Sequence, residues 1–188
     1  MKQKPPVFIS GKSIYLRPLQ REDLSACLRW MNDPITRGFI LNQIPIDMIR
    51  EEQWFDHLDR KSFPSHIIFA IVLKKGDRLI GDTGIQGINW VNRNAETGIV
   101  LGEEHRGRGH GSEAAKLILS YCFGTLGLHR VVARVLATNP RSLACHQHVG
   151  YRNEGRERHV YFRDGKWIDS MRLAILEHEW RSSQKKNR

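Results

Sequence analysis

The feature that most constrains this chain lies in its second half. A strand-like run, Ala95–Gly102, leads into Glu103-Glu104-His105-Arg106-Gly107-Arg108-Gly109-His110-Gly111-Ser112. An amphipathic stretch over Ser112–Phe123 follows, with Ala114, Leu117, Ile118, Tyr121 and Cys122 at helical spacing, and Gly124 and Gly127 end it. The valine-rich stretch His129–Ala137 then reads as a strand. Strand, helix, strand is a crossover unit, so the strands at 95–102 and 129–137 are expected to run parallel.

Antiparallel structure surrounds that unit. Ile14–Pro18 alternates as a strand, and Glu22–Asn32 carries Leu24, Cys27, Leu28 and Met31 at helical spacing until Asp33-Pro34 stops it. Ile35–Pro45 reads as a loop or broken helix. Asp47 caps a second helix through Leu58, with Ile49 or Met48, Trp54, Phe55 and Leu58 as its apolar side. Ser65–Leu73, Arg78–Trp90 and Ala95–Gly102 form a meander turned at Lys75-Gly76-Asp77 and Val91–Asn94. Gly81, Gly84 and Gly87 predict bulges in its middle strand. Pro140 opens a short helix. Gly150–Tyr161 and Lys166–Leu176 close the chain as a hairpin around Asp164-Gly165. The reading is one α+β domain with a mixed sheet over residues 11–180, an extension at 1–10 and a basic tail at 181–188; 188 residues suffice for one such core.

Composition removes several classes. No apolar run approaches the ~20 residues a bilayer requires. Met1–Gly11 is polar and lacks the apolar centre of a secretory signal. Cys27, Cys122 and Cys145 are widely spaced with no CxxC, which argues against a zinc finger or a disulfide framework and for a reducing cytoplasm. His146 and His148 diverge on a helix, and His105 and His110 lack carboxylate or thiol company in sequence, so no metal site is expected. Net charge is +10, of which four positive charges fall in the last eight residues. The remainder attracts anions without naming one.

The glycine-rich turn supplies a more specific argument. Glycines let backbone N–H groups approach a bulky anion without Cβ interference, and the following helix start adds unpaired N–H groups and partial positive charge. Arg106 and Arg108 add full charges. The ATP-type loop is absent, and the dinucleotide fingerprint fails because Ser112 stands where its third glycine belongs. Arg106-x-x-Gly109-x-Gly111 remains. Its alternative reading is a flexible turn with a helix cap.

That segment resembles motif A of the GCN5-related N-acetyltransferases (GNAT). The resemblance extends over nearly the whole chain: Tyr15-Leu16-Arg17-Pro18 with Glu22-Asp23-Leu24, Glu96 to Leu101, Asn139-x-x-Ser142, and Gly150-Tyr151. Gly165-x-x-x-Asp169 resembles the last hairpin of the branch that acetylates ribosomal-protein N-termini. The resemblance implies a seven-stranded, mostly antiparallel sheet with one splayed parallel pair and about four helices. It implies acetyl-CoA as donor and a primary amine as acceptor. Pantetheine would pair with the edge formed by Ile99, Val100 and Leu101. Amides of Arg106, Gly107, Arg108, Gly109, His110, Gly111 and Ser112 would hold the pyrophosphate. Asn139 would reach the pantetheine arm, and Arg141 or Ser142 would border it. Residues Ile35–Pro45 would form part of the acceptor wall.

Amide formation needs a neutral amine, so a base matters. Glu96 is the candidate, acting through water; its alternative is a solvent-facing strand glutamate. A backbone N–H near Val100 or Leu101 would polarise the thioester carbonyl. The family often places a tyrosine seven positions after the asparagine as the thiolate's acid. Here that position is His146, and Ser142 is the second candidate. Either could instead serve only packing or capping. Cys145 reads as packing. Trp30, Trp54 and Trp90 read as pocket or core.

The leading reading is acetylation of a protein N-terminal α-amine. Acetylation of an amino sugar, polyamine or antibiotic stands second. A nucleic-acid-binding module, supported only by the pI near 9.9, and a silent CoA sensor stand third. Exposed sheet edges leave a homodimer open.

Overall fold

The structure is a computed structural model that describes residues 5–41, 43–58 and 62–186. Eight strands form one sheet: β1 (Ile9–Ser10), β2 (Ile14–Pro18), β3 (Ile67–Leu73), β4 (Arg78–Asn89), β5 (Asn94–Leu101), β6 (Arg130–Leu136), β7 (Arg152–Arg163) and β8 (Lys166–Leu176). Their spatial order is β1-β2-β3-β4-β5-β6-β8-β7. Neighbours pair antiparallel except β5 and β6, which are parallel as the crossover requires. The helices are α1 (Leu24–Asn32), α2 (Pro34–Arg37), α3 (Met48–Asp56), α4 (His110–Gly124), α5 (Pro140–His148) and α6 (Glu177–Lys186).

Both chain ends depart from the expected extension and tail. Ile9–Ser10 adds an eighth strand, and Phe8 stacks on Phe69 at 5.4 Å between ring centroids. α6 carries the chain into the basic stretch, with Trp180 in the core against Phe123. Lys2, Lys4 and Arg188 lie outside the described residues.

The sheet has two covered faces. On one, α4 and α6 bury Ala114, Ile118, Leu119, Cys122, Phe123 and Trp180 against Ile71, Ile85, Ala95, Val131, Ala133 and Leu173. Each large aliphatic side chain so placed contributes about 1.5–3 kcal/mol. On the other face, Leu24, Cys27 and Trp30 of α1 pack on Tyr15, Ala70 and Val72, with Val100 at the margin. α3 packs on α1. Arg17 and Asp23, both buried, form a two-pronged ion pair at 2.6 and 2.8 Å that ties β2 to the start of α1.

Local signals account for most element ends. The Asp47 side chain accepts from Arg50 N at 2.8 Å, as its capping role requires. Asp33 both ends α1 and caps α2, accepting from Thr36 N at 2.7 Å; the expected broken helix is this four-residue turn and the loop after it. In the β7–β8 hairpin, Asp169 accepts from the bulged His159 N and from Arg156. The apolar side of α3 is inward only in part: Phe55 packs against the α1 cluster as expected. Ile49 and Trp54 of α3 are exposed, and Glu51 is buried at 6% exposure. Hydrophobic periodicity points apolar residues inward; here a carboxyl takes that place.

Candidate active site

β5 and β6 pair only over Asn94↔Arg130, Ala95↔Val131 and Glu96↔Val132, although β5 continues to Leu101 and β6 to Leu136. The two strands therefore part beyond Glu96. Gly102 N donates to Ile80 O at 3.0 Å, and the register continues through Asp82↔Val100 and Gly84↔Gly98. Antiparallel pairing alternates, so the peptide groups of Gly98 and Val100 turn to β4, and those of Ile99 and Leu101 turn to the gap. Leu101 O accepts from Arg106 Nε at 3.0 Å. Ile99 keeps both its groups free toward the gap, and Leu101 keeps its N–H. The expectation of a Val100 N–H in the gap is thus corrected: its peptide belongs to the β4 ladder, and its side chain packs toward α1.

At the end of β5 the glycine turn folds into the start of α4. Gly107 and Gly109 hold φ of +73° and +84°, which side chains resist. Arg106 N is already spent on Glu103 O at 3.1 Å. The N–H groups from Gly107 through Ser112 donate to no other group among the described residues. The run of unengaged amides at this helix start is one shorter than expected, because Arg106 is not among them. The Arg106 guanidinium also points elsewhere: besides Leu101 O it donates to Oγ1 of buried Thr36 at 2.5 Å. It ties the turn to α2. Arg108 is exposed and Ser112 Oγ sits 3.3 Å from Cys145 Sγ. His110 Nδ1 lies 3.3 Å from Ser13 Oγ, and Glu113 accepts from Ser13 N at 2.8 Å, which fastens the β1–β2 turn to α4.

α5 borders the gap. Asn139 Oδ1 accepts from Ser142 N at 3.0 Å, capping the helix. Arg141 is exposed. His146 is buried, edge-on to Tyr151 at 5.0 Å between centroids, with Nδ1 2.8 Å from Ser142 O. That carbonyl requires a hydrogen on Nδ1, which leaves Nε2 bare. Burial pushes the His146 pKa below its ordinary value, against a smaller upward pull from the Ser142 carbonyl. With its Nδ1 hydrogen engaged by Ser142 O and its charged form disfavoured by burial, it is poorly placed to protonate a thiolate. Ser142 Oγ, 3.4 Å from the same Nδ1, keeps its own hydrogen to give.

Glu96 faces the α1–α3 side of the sheet in a cleft of about 380 Å³ with His66, Gln86, Arg134 and Arg172. Arg134 donates to Glu96 Oε2 from Nε at 3.1 Å and from an Nη at 3.0 Å. The Glu96 carboxylate is thus already occupied by a cation. The Arg134 side raises its own pKa mainly through this carboxylate. A second cleft of about 550 Å³ lies between Ala137-Thr138 and the β7–β8 hairpin, lined by Arg156, His159, Arg163, Trp167 and Asp169. Arg163 donates to Ile40 O and Leu41 O, so the 35–45 loop does abut this hairpin.

Sequence reasoning missed two carboxyls. Asp82 lies between Ala70 and Val100 in register, on the face that α1 covers. Burial pushes its pKa up to about 7, with Glu51 adding repulsion. Burial likewise raises Glu51. The only hint in the sequence was an aspartate inside a strand, between Gly81 and Gly84.

No group of three or more metal-ligating side chains occurs among the described residues, and none of their helices is long and apolar enough to cross a membrane. A family model described as "Acetyltransferase (GNAT) domain" matches residues 13–152. The spermidine N(1)-acetyltransferase of Escherichia coli (strain K12) is 26% identical over 94% of this chain and 92% of that protein. A probable N-acetyltransferase of Bacillus subtilis (strain 168), YjcK, is 30% identical over 89% of this chain and 96% of its own length. The crystal structure of Vibrio cholerae spermidine N-acetyltransferase with CoA and spermine superposes with a TM-score of 0.84 at 24% identity, covering 89% of this chain and 98% of that one.

Proposed function

The chain belongs to the GNAT acetyltransferases and uses acetyl-CoA as donor, and from that premise we propose that its acceptor is a primary amine carrying a nearby anionic group, such as an acidic protein N-terminus. The amides of Gly107 to Ser112 receive the pyrophosphate, and the Asn139 amide reaches the pantetheine arm. Ile99 and Leu101 present backbone groups to the gap, where their N–H groups polarise the thioester carbonyl. Ser142 Oγ donates to the departing sulfur. His146 holds the α5 turn in place through Ser142 O and the Tyr151 ring. These residues fit the donor: the cradle amides lack other partners, and the strand edge is free.

One observation carries the acceptor assignment. Glu96 is paired with Arg134, and Arg172 of the same cleft lies 3.9 Å from Glu157; the neighbouring cleft adds Arg156, Arg163 and Lys166 against Asp164 and Asp169. The wall therefore carries surplus positive charge, which repels a polyamine and attracts a carboxylate or phosphate. Spermidine is the rival acceptor, favoured by the names of relatives such as the Escherichia coli enzyme. Thiol release from acetyl-CoA is the assay, with a Ser-Asp-Glu-initiated peptide, a Ser-Ala-Ala-initiated peptide and spermidine as acceptors. The acidic peptide should show the highest kcat/KM. Spermidine turning over faster than both peptides refutes the assignment. With three free thiols among its residues, we place the enzyme in a reducing compartment.

A further inference from the structure

On the acceptor face, Asp82 and Glu51 approach from different elements. The strand register sets Asp82 beside Val100, one residue from the freed peptide groups of Ile99 and Leu101. Next along the same face come Gly84 and Gly98, paired with each other, which leave a floor without side chains between Asp82 and the Glu96 cleft. A Cβ on Gly98 would meet only the end of Gln86, at 3.8 Å, whereas one on Gly84 would meet Ile68 Cδ1 at 2.7 Å, so the floor is open on the β5 side and covered by Ile68 on the β4 side. Glu51 comes down from the first turn of α3. It is 6% exposed, and its carboxyl has no hydrogen bond or ion pair among the described residues. Asp82 is half-buried, so the pair is reachable.

The other groups packed around Asp82 do not compensate it. Cys27 of α1 is a neutral thiol whose pKa burial pushes well above the usual range. Arg17 of β2 is engaged by Asp23. From α3 come Glu51 and the apolar Phe55, and from β5 the apolar Val100. Two carboxyls, buried together without a cation, are costly unless something cationic visits or one keeps a proton.

We propose that Asp82, backed by Glu51, seats the acceptor's ammonium group and takes its proton. The proposal rests on the acetyltransferase reading and deepens it. The ammonium gives one proton to the Asp82 carboxylate. The neutral nitrogen then bonds to the thioester carbon as the carbon–sulfur bond breaks. Ser142 Oγ gives its proton to the departing thiolate and takes the nitrogen's surplus proton in its place, and Asp82 later returns its own to water. A group that ionises close to neutral pH is suited to this task, and Asp82 is raised into that range. Glu96, held by Arg134, is then an orienting residue of the cleft.

The first test is the pH profile of kcat/KM, with the acidic peptide and spermidine as acceptors. Asp82→Asn should lower kcat/KM at least tenfold at pH 7.5 and abolish the acid limb, with acetyl-CoA affinity by calorimetry unchanged. Glu51→Gln should move the acid limb to lower pH, because it removes a repelling charge. A merely structural pair would move neither limb. An unaltered profile in both variants overturns the proposal. The second test needs no turnover: titration of the side-chain carboxyl carbons by NMR in the CoA-bound wild type, with and without 1-propylammonium. The Asp82 midpoint should fall when the amine is added, and a midpoint indifferent to it overturns the seat. Absence of turnover by the wild type with every amine would instead strike at the acceptor reading above.

Discussion

Asp82→Asn should stabilise the fold, and only above a definite pH. Asp82 has an ordinary pKa of 3.8 in an unfolded chain and is pushed up to about 7 in the folded one, first by burial and then by Glu51. The folded state therefore binds this proton more tightly. Stability is full below the unfolded value and is lost as pH rises toward the folded value. A separation of about three pH units at ~1.36 kcal/mol each sets a ceiling of about 4 kcal/mol, and partial solvent access brings the expectation to about 2–4 kcal/mol. Asparagine keeps the shape and cannot ionise. At pH 8.5 the variant should exceed the wild type by that amount. At pH 4 the two should differ by less than ~1 kcal/mol, since both side chains are then largely neutral. Urea unfolding at both pH values is the assay; with m near ~2 kcal/mol/M the midpoint at pH 8.5 should rise by about 1–2 M. Equal differences at both pH values, or a variant destabilised at pH 8.5, would refute the argument that this carboxyl is buried without compensation.

Other expectations follow from single contacts. Gly111→Ala should raise stability by about 0.5–1 kcal/mol through helix propensity, because its Cβ meets Leu101 Cδ1 at an ordinary 3.6 Å; it should also weaken acetyl-CoA at least tenfold, read by calorimetry, by intruding on the cradle. Asn139→Ala should cost about 1 kcal/mol in denaturant, from the lost cap on Ser142 N, and should raise the KM for acetyl-CoA. His146→Ala should lower stability by about 2 kcal/mol while leaving the pH profile of kcat in place, whereas Ser142→Ala should lower kcat severalfold; the reverse pattern would restore the histidine as acid. Glu96→Gln should leave the acid limb of kcat/KM where it is, measured with the acceptor the screen selects.

What the sequence settled about this protein, it settled through local rules. The crossover 95–137 made β5 and β6 parallel, because a helix between two strands in one sheet allows little else. Gly107 and Gly109 announced backbone that L side chains resist, and Asp47 and Pro140 announced helix starts, because each acts on peptide groups only a few positions away. Tertiary structure decided the rest. Whether the Arg106 charge faces the cradle depends on Thr36, 70 residues away, which accepts its guanidinium. Whether Glu96 is free depends on Arg134, across the strand pair. Whether Val100 or its neighbours face the gap depends on ladder parity set at Gly102 and Ile80. On α3, Phe55 faces inward as its spacing suggests while Glu51 takes the place of Ile49 and Trp54, and periodicity cannot foresee a carboxyl that lies inside. Charge state and hydrogen-bond availability are properties of what stands opposite in space, and that is fixed only once the sheet and its covering helices are assembled.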